Sequence, residues 1–331
     1  MITVLQIGFG PLGMQIGKYI IDKKTIKTIA VVDVNPSLEG KSLSSLDAMF
    51  SESTQIHSTV KKALDSLSEK PDIAIITTVS SLEKLIPQVK EVAAYGIPVI
   101  STCEELSYPW KLQPQLSKEL DVICKKNSIA CLGTGINPGF LMDYLPSVFS
   151  SVCKNIEHVT VERVQDATPR RIPFQKKIGA GLDLKAFKEK EATGTLRHVG
   201  LQESVYLLAN SIGWELDSVS ESLSPVIAEQ KVASSAIKVK KGDARGVEQI
   251  SHGHVNGKCK ISMHFKAAIG EPRSYDKITI KGTPNFTSVI EGGLNGDITT
   301  CAIVINSIQS ILKAPAGLQT MADIGVPGYV N

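Results

Sequence analysis

The sequence predicts an α/β fold: a doubly wound parallel sheet, followed by a second, α+β domain with a mixed or antiparallel sheet. Three observations carry this. Over the first 135 residues, short apolar runs alternate with amphipathic segments, the pattern of βαβ units. A glycine-rich turn joins the first run to the first amphipathic segment. Beyond Asn137 the runs alternate polar and apolar residues, with Asn256-Gly257 placed as a hairpin turn between two of them.

Taken in order, Ile2–Phe9 is a buried strand and Pro11–Asp22 has helical spacing. Ile26–Asp33 is a second strand, Thr54–Ile56 a weaker one, and Asp72–Thr77 a clear third. A helix over Ser80–Tyr95 ends at Gly96, and Ile97–Ser101 is the next strand. Gln113–Asn127 reads as helix and Ile129–Gly133 as strand. Asn137-Pro138-Gly139 then marks a break and a helix start, with Pro138 suited to the first turn. A helix to about Cys153 leads into an alternating strand over Ile156–Val164. Val199–Ile212 is helical, Val247–Ile269 holds the hairpin, and Ile278–Lys281 is a strand. Asp297–Leu312 reads as one long apolar helix before a Pro/Gly-punctuated tail. The expected domains are 1–136, 137–305 and a C-terminal segment 306–331 that packs back on the first.

The composition narrows the function classes. Hydrophobic residues make up 42% and charged residues 21% of 331, the usage of an ordinary globular chain. Lys plus Arg is 36 and Asp plus Glu 33, a net charge of +3, which does not suggest nucleic acid or an anionic membrane as partner. No apolar run reaches membrane-spanning length and the start lacks a signal-peptide pattern, so a cytoplasmic protein is expected. The six cysteines show no CxxC spacing and read as thiols in a reducing compartment.

Gly8-Phe9-Gly10-Pro11-Leu12-Gly13 is a GxGxxG placed between a strand and a helix. Gly8 permits the tight turn, Gly10 lets a pyrophosphate approach the backbone, and Gly13 lets the helix pack on the sheet. The N–H groups at the helix start then meet the phosphate charge. Asp33 lies 20 residues beyond Gly13, where a carboxylate accepts from the adenosine ribose. The pattern predicts a Rossmann domain binding NAD, which Asp33 favours, or NADP, which a base such as Lys41 would accommodate. Thr77, Thr78, Cys103 and Asn137 fall at the carboxyl ends of later strands, on the ligand side.

Chemistry is expected in the same loops. Glu104 follows a buried strand, where a partly desolvated carboxylate suits general-base work or ammonium binding; it reads equally as a helix cap, with Glu105 a solvated neighbour. Asn137 suits a carboxamide or substrate contact, or simply an Asn-Pro turn. His198 begins a helix, as a proton shuttle or a structural residue. His252 and His254 share a strand face but lack further ligands, so no metal is expected. Residues 163–190 hold eight basic and three acidic side chains. The stretch 168–182, with two Pro and two Gly, reads as a loop whose Arg170 and Arg171 suit a carboxylate or phosphate, or as a solvated surface.

Five blocks carry a resemblance: Gly8–Gly13, Ser101–Pro109 (STCEELSYP), Leu132–Asp143 (LGTGINPGFLMD), His198–Leu216 (HVGLQESVYLLANSIGWEL) and Ala314–Asp323 (APAGLQTMAD). The chain resembles the 2,4-diaminopentanoate dehydrogenase group, within the native amine dehydrogenase and dihydrodipicolinate-reductase-like oxidoreductases. The resemblance implies an NAD(P)-dependent oxidoreductase acting on an amine-bearing carbon, with a second domain that dimerises through its sheet. It implies Glu104 at the amine, Asn137 at the crossover and His198 beside the substrate pocket. The loop Val164–Leu182 departs from the corresponding stretch of diaminopentanoate enzymes, and the His-His pair with a following Lys of authentic dihydrodipicolinate reductases is missing. The expected reaction is reversible oxidative deamination of an amine or (di)amino acid. Catalytic roles are assigned to Glu104, His198 and Asn137, and substrate contacts to Glu104, Arg170, Arg171 and His198. The expected partners are a small amine, amino acid or keto substrate and a second copy of the chain. The alternatives are reduction or dehydrogenation of another imine, carbonyl or alkene, and a non-catalytic dinucleotide sensor.

Overall fold

The computed structural model describes residues 1–194, Leu196 and 199–331. The chain forms two compact units, Met1–Phe140 with Gly296–Asn331, and Leu141–Asn295. In chain order the first unit supplies β1 (Ile2–Ile7), α1 (Pro11–Ile21), β2 (Ile26–Val32), β3 (Ile56–His57), α2 (Val60–Asp65), β4 (Ile73–Ile76), α3 (Leu82–Ala93), β5 (Val99–Ser101), α4 (Pro114–Lys126) and β6 (Ala130–Gly133). The second supplies α5 (Tyr144–Ser150), β7 (Asn155–Asp166), α6 (Ile172–Lys177), α7 (Leu184–Ala192), α8 (Leu201–Ser211), β8 (Ser218–Ile227), β9 (Val232–Ala233), β10 (Lys238–Val239), β11 (Ala244–Val255), β12 (Lys258–Ala268), β13 (Tyr275–Thr283) and β14 (Phe286–Glu291). The return adds α9 (Gly296–Asn306), α10 (Ile308–Ile311) and β15 (Gly317–Gln319) to the first unit.

The first unit is a seven-stranded sheet in the order β15-β6-β5-β4-β1-β2-β3, parallel throughout. Its inner strands are continuous apolar runs because helices cover both faces; every residue of Ile73–Ile76 is buried. Pro11 and Pro114 open α1 and α4 at positions where an N–H is not needed. The strand order reverses where β1 lies beside β4, and the carboxyl ends there form the crevice in which such sheets bind ligands. The tail joins this sheet: β15 pairs in parallel with β6.

The second unit is a six-stranded mixed sheet, β14-β13-β7-β12-β11-β8, plus the small hairpin β9-β10. Alternation along the strands makes two unlike faces. Val159, Val161, Ile261, Met263, Phe265 and Ile280 join the core with α5 and α8 side chains. The other face carries polar pairs, with Lys277 and Glu162 at 2.8 Å and His264 and Glu248 at 2.8 Å. The expected turn is present at Asn256-Gly257, both residues at positive φ, 51° and 70°. The edge strands β8 and β14 were not expected. The run Ser218–Ile227 is serine-rich and contains Pro225, which reads against a strand; an edge tolerates both features.

Three expectations are corrected. Pro138 does not open a helix: the Asn137-Pro138 bond is cis, and α5 starts only at Tyr144, capped by Asp143. The apolar run Asp297–Leu312 is two helices, separated at Ser307, whose hydroxyl donates to the Ile303 carbonyl at 2.7 Å. The basic stretch is no simple loop. It contains α6 and leads into α7, whose start Asp183 caps by accepting from the Ala186 N–H. Arg163 also leaves the basic surface. It lies in β7, only 2% exposed, and pairs with buried Asp276 at 2.8 Å. The same pair holds the turn after β14: Arg163 donates to the Leu294 carbonyl and Asp276 accepts the Leu294 N–H.

Candidate active site

The glycine turn is built by close backbone approach. A Cβ at Gly13 would stand 2.0 Å from the Gly8 carbonyl oxygen. Gly8 has φ 89°, and the Thr77 hydroxyl donates to its carbonyl at 2.9 Å. Gly10 is different: nothing lies within 4 Å of a Cβ placed there. It is the N-cap of α1, and no side chain caps the first turn. A helix start with an open approach is an anion cradle, so these residues fit a dinucleotide pyrophosphate. Asp33 stands beside it. One carboxylate oxygen accepts the Phe9 N–H at 2.7 Å and the other the Asn35 N–H at 2.9 Å. Each retains a further lone pair for a ribose hydroxyl.

The individual residues separate by role. The Phe9 side chain is buried in a cluster with Val31, Leu43, Phe50 and Ile56, so its contribution at the turn is its N–H. Leu12 is half-buried and Pro11 exposed at the first turn of α1. Thr77 and Thr78 follow β4; the Thr78 hydroxyl donates to Gln88 at 2.7 Å. Cys103 is buried. Burial, with Glu104 beside it, pushes its thiol up to about 12, so it stays protonated and serves packing.

Glu104 opens a single 3₁₀ turn, Glu104–Leu106, directly after β5. In the sheet order this is two strands from the glycine turn and on the same carboxyl edge. Its neighbour is not the solvated residue the sequence suggested. The Glu105 carboxylate accepts the Leu82 N–H at the start of α3 (2.8 Å) and the Gln113 amide (2.7 Å). Glu105 is thus the structural acid, and Glu104 stays half-buried at the ligand edge. Sequence reasoning missed the residue that sets its height. A Cβ at Gly133 would lie 2.6 Å from the Leu106 carbonyl carbon, so the Glu104 turn rests on bare backbone. The signal was a glycine ending a buried strand. Asn137 follows in the same unit; the Ile136 N–H before it meets the Thr300 hydroxyl of α9 at 3.4 Å.

Arg170 and Arg171 belong to the second unit. The Arg170 guanidinium carbon lies over the Phe174 ring, 4.1 Å from its centroid. Two buried residues there were also missed. Asp143 accepts from the Ser204 hydroxyl at 2.6 Å, tying α5 to α8. Its signal was an Asp preceding an apolar helical run. His198 lies outside the described residues. Among the described residues there is no cluster of metal-ligating side chains, and no helix is long and apolar enough to cross a membrane.

A reversing parallel sheet, a glycine turn and a fixed acid after β2 define a dinucleotide-dependent dehydrogenase. Comparison with known proteins narrows the class. The family described as 2,4-diaminopentanoate dehydrogenase C-terminal domain matches residues 140–331. A 2,4-diaminopentanoate dehydrogenase of Acetoanaerobium sticklandii is 31% identical, over 98% of this chain and 94% of its own. The chain belongs to the 2,4-diaminopentanoate dehydrogenase family. Its fold is shared with an amine dehydrogenase from Mycobacterium smegmatis, at a TM-score of 0.87 and 21% identity, covering 99% of this chain and 97% of that one. A dipicolinate-bound dihydrodipicolinate reductase from Paenisporosarcina sp. TG-14 is more distant, at a TM-score of 0.54 and 13% identity, covering 97% and 98%.

Proposed function

We propose that the protein is a reversible amine dehydrogenase that deaminates a diamino acid of the 2,4-diaminopentanoate kind, using NAD in preference to NADP. The observation that carries this is Glu104, held on the carboxyl edge of the same sheet whose glycine turn fits a pyrophosphate. Gly8–Gly13 bind the phosphates at the start of α1, and Asp33 accepts from the ribose. A 2′-phosphate would meet the Asp33 carboxylate and be repelled, which sets the preference. When bound, the nicotinamide supplies the acceptor for a hydride from the amine-bearing carbon.

The chain's part is to orient the amine and move its protons. Glu104 holds the substrate as ammonium and takes one proton, leaving the nitrogen lone pair to drive hydride loss from carbon. Water then adds to the resulting iminium carbon and ammonia leaves, with Glu104 relaying protons. Asn137 orients the reacting groups, His198 serves the proton relay, and Arg170 with Arg171 hold the substrate carboxylate as charge-assisted pairs. The working form is a cytoplasmic homodimer joined through the polar face of the mixed sheet.

The test is direct. Purified protein with 2,4-diaminopentanoate and NAD is expected to produce NADH and release ammonium, with lower kcat/KM on NADP. Tight NADH binding without turnover on this substrate or a panel of amines and carbonyls would instead mark a sensor.

A further inference from the structure

The basic turn before α6 is held by one buried amide. Gln175, in α6, is 1% exposed. Its nitrogen donates to three backbone carbonyls of the preceding turn, Ala167 at 3.1 Å, Thr168 at 3.1 Å and Arg170 at 2.8 Å. Its oxygen accepts the Ser234 hydroxyl at 2.6 Å. That hydroxyl oxygen in turn accepts the Ala236 and Ile237 N–H groups, at 3.2 and 3.0 Å, inside the β9-β10 hairpin. The amide's donors and acceptor are therefore all used, the donors on the backbone path that carries Arg170 and the acceptor on the hairpin. The turn is closed from its other end as well. Asp166 accepts the Thr168 N–H at 2.9 Å, the Thr168 hydroxyl at 2.6 Å and the Gly270 N–H at 3.1 Å.

This arrangement restrains Arg170 at both its backbone and its side chain. Its backbone is pinned by Gln175, and the face of its guanidinium is covered by Phe174, the residue before Gln175. A guanidinium lying over an aromatic ring is restricted in its side-chain freedom, and a guanidinium fork matches a carboxylate. An arginine on a solvated loop would lose side-chain entropy on binding; one held this way has already lost it.

We propose that Gln175, tethered by Ser234, is a positioning residue that preorganises the Arg170-Arg171 turn as a carboxylate receptor, so that the enzyme selects amines bearing a carboxylate. The proposal rests on the reading above that these arginines take the substrate carboxylate.

The experiment compares 2,4-diaminopentanoate with 1,3-diaminobutane, the same diamine without its carboxylate, in the full-length enzyme with NAD. Ser234→Ala removes the tether, and Gln175→Leu removes the hub. Both are expected to raise KM for the diamino acid about 10-fold, with a smaller change in kcat and no change in KM for the diamine. Ser234→Thr is expected to restore the wild-type value. Hydrogen exchange supplies a readout independent of turnover: amides 166–175 exchange faster in Ser234→Ala, while those of α1 do not.

Equal losses on both substrates, or unchanged exchange in 166–175, overturn the proposal. Arg170→Met and Arg171→Met distinguish its failure from that of the reading beneath it. If they raise KM for the diamino acid and the Gln175 and Ser234 variants do not, the positioning role falls alone. If neither arginine variant changes that KM, the carboxylate assignment falls, and the proposal with it.

Discussion

The glycine turn before α1 and the basic turn before α6 are built by opposite means. The first is made of backbone. A missing Cβ at Gly13 lets the turn close on the Gly8 carbonyl, and an open approach at Gly10 leaves the helix start exposed. The second is made of side chains: Asp166 and Gln175 saturate the local carbonyls and N–H groups, and Phe174 supports the arginine. The backbone turn leaves no room for a Cβ at Gly8 or Gly13. A turn held by side chains is rebuilt by changing its supports.

The largest expected effect breaks the backbone site. Gly13→Ala places a Cβ 2.0 Å from the Gly8 oxygen, a distance that forces the turn open. NADH binding measured by calorimetry is expected to weaken by at least ~100-fold, the order of losing several aligned phosphate contacts. Retained affinity would mean that the phosphates are bound elsewhere. Gly133→Ala comes next. Its Cβ meets the Leu106 backbone at 2.6 Å and displaces the Glu104 turn, so kcat is expected to fall about 10²-fold while NADH affinity holds. A parallel loss of both would place the damage in the sheet rather than at the acid.

Asp33→Asn is expected to act more mildly. The amide keeps one acceptor for the turn but no longer repels a 2′-phosphate, so the ratio of kcat/KM for NAD over NADP should drop about 10-fold. An unchanged ratio assigns the preference to another residue. The smallest effect belongs to the side-chain site. Asp166→Ala loses bonds to Thr168 and Gly270 and is expected to cost about 1–2 kcal/mol in urea unfolding, with NADH affinity unchanged. A loss of cofactor affinity in this variant would contradict the division between the two turns.

The same contrast explains what was legible in the sequence. Gly8–Gly13 and Asp33 could be read because a strand, a turn and a helix impose their constraint within a few residues. The parallel sheet was readable for the same reason, each strand being a local apolar run. Gln175 could not be read: its worth depends on Ser234, 59 positions away, and on three carbonyls that only the folded turn brings together. Arg163 misled because its partner, Asp276, lies 113 residues on; counted in sequence it was a surface charge, in the fold it is half of a buried pair. Ser218–Ile227 failed by composition, since a serine-rich strand with a proline survives only at an edge that the sequence does not announce. Glu105 read as solvated because its partners, the Leu82 N–H and the Gln113 amide, lie 23 and 8 residues away.

The central claim is that Glu104 handles the amine on a sheet edge whose cofactor turn is independent of it. Glu104→Gln keeps the size and removes the base. Measured side by side, its NADH affinity by calorimetry should equal that of the wild type. Its NADH production from 2,4-diaminopentanoate should fall about 10²- to 10⁴-fold, the range for removing a general base. Wild-type turnover with intact cofactor binding would contradict the account.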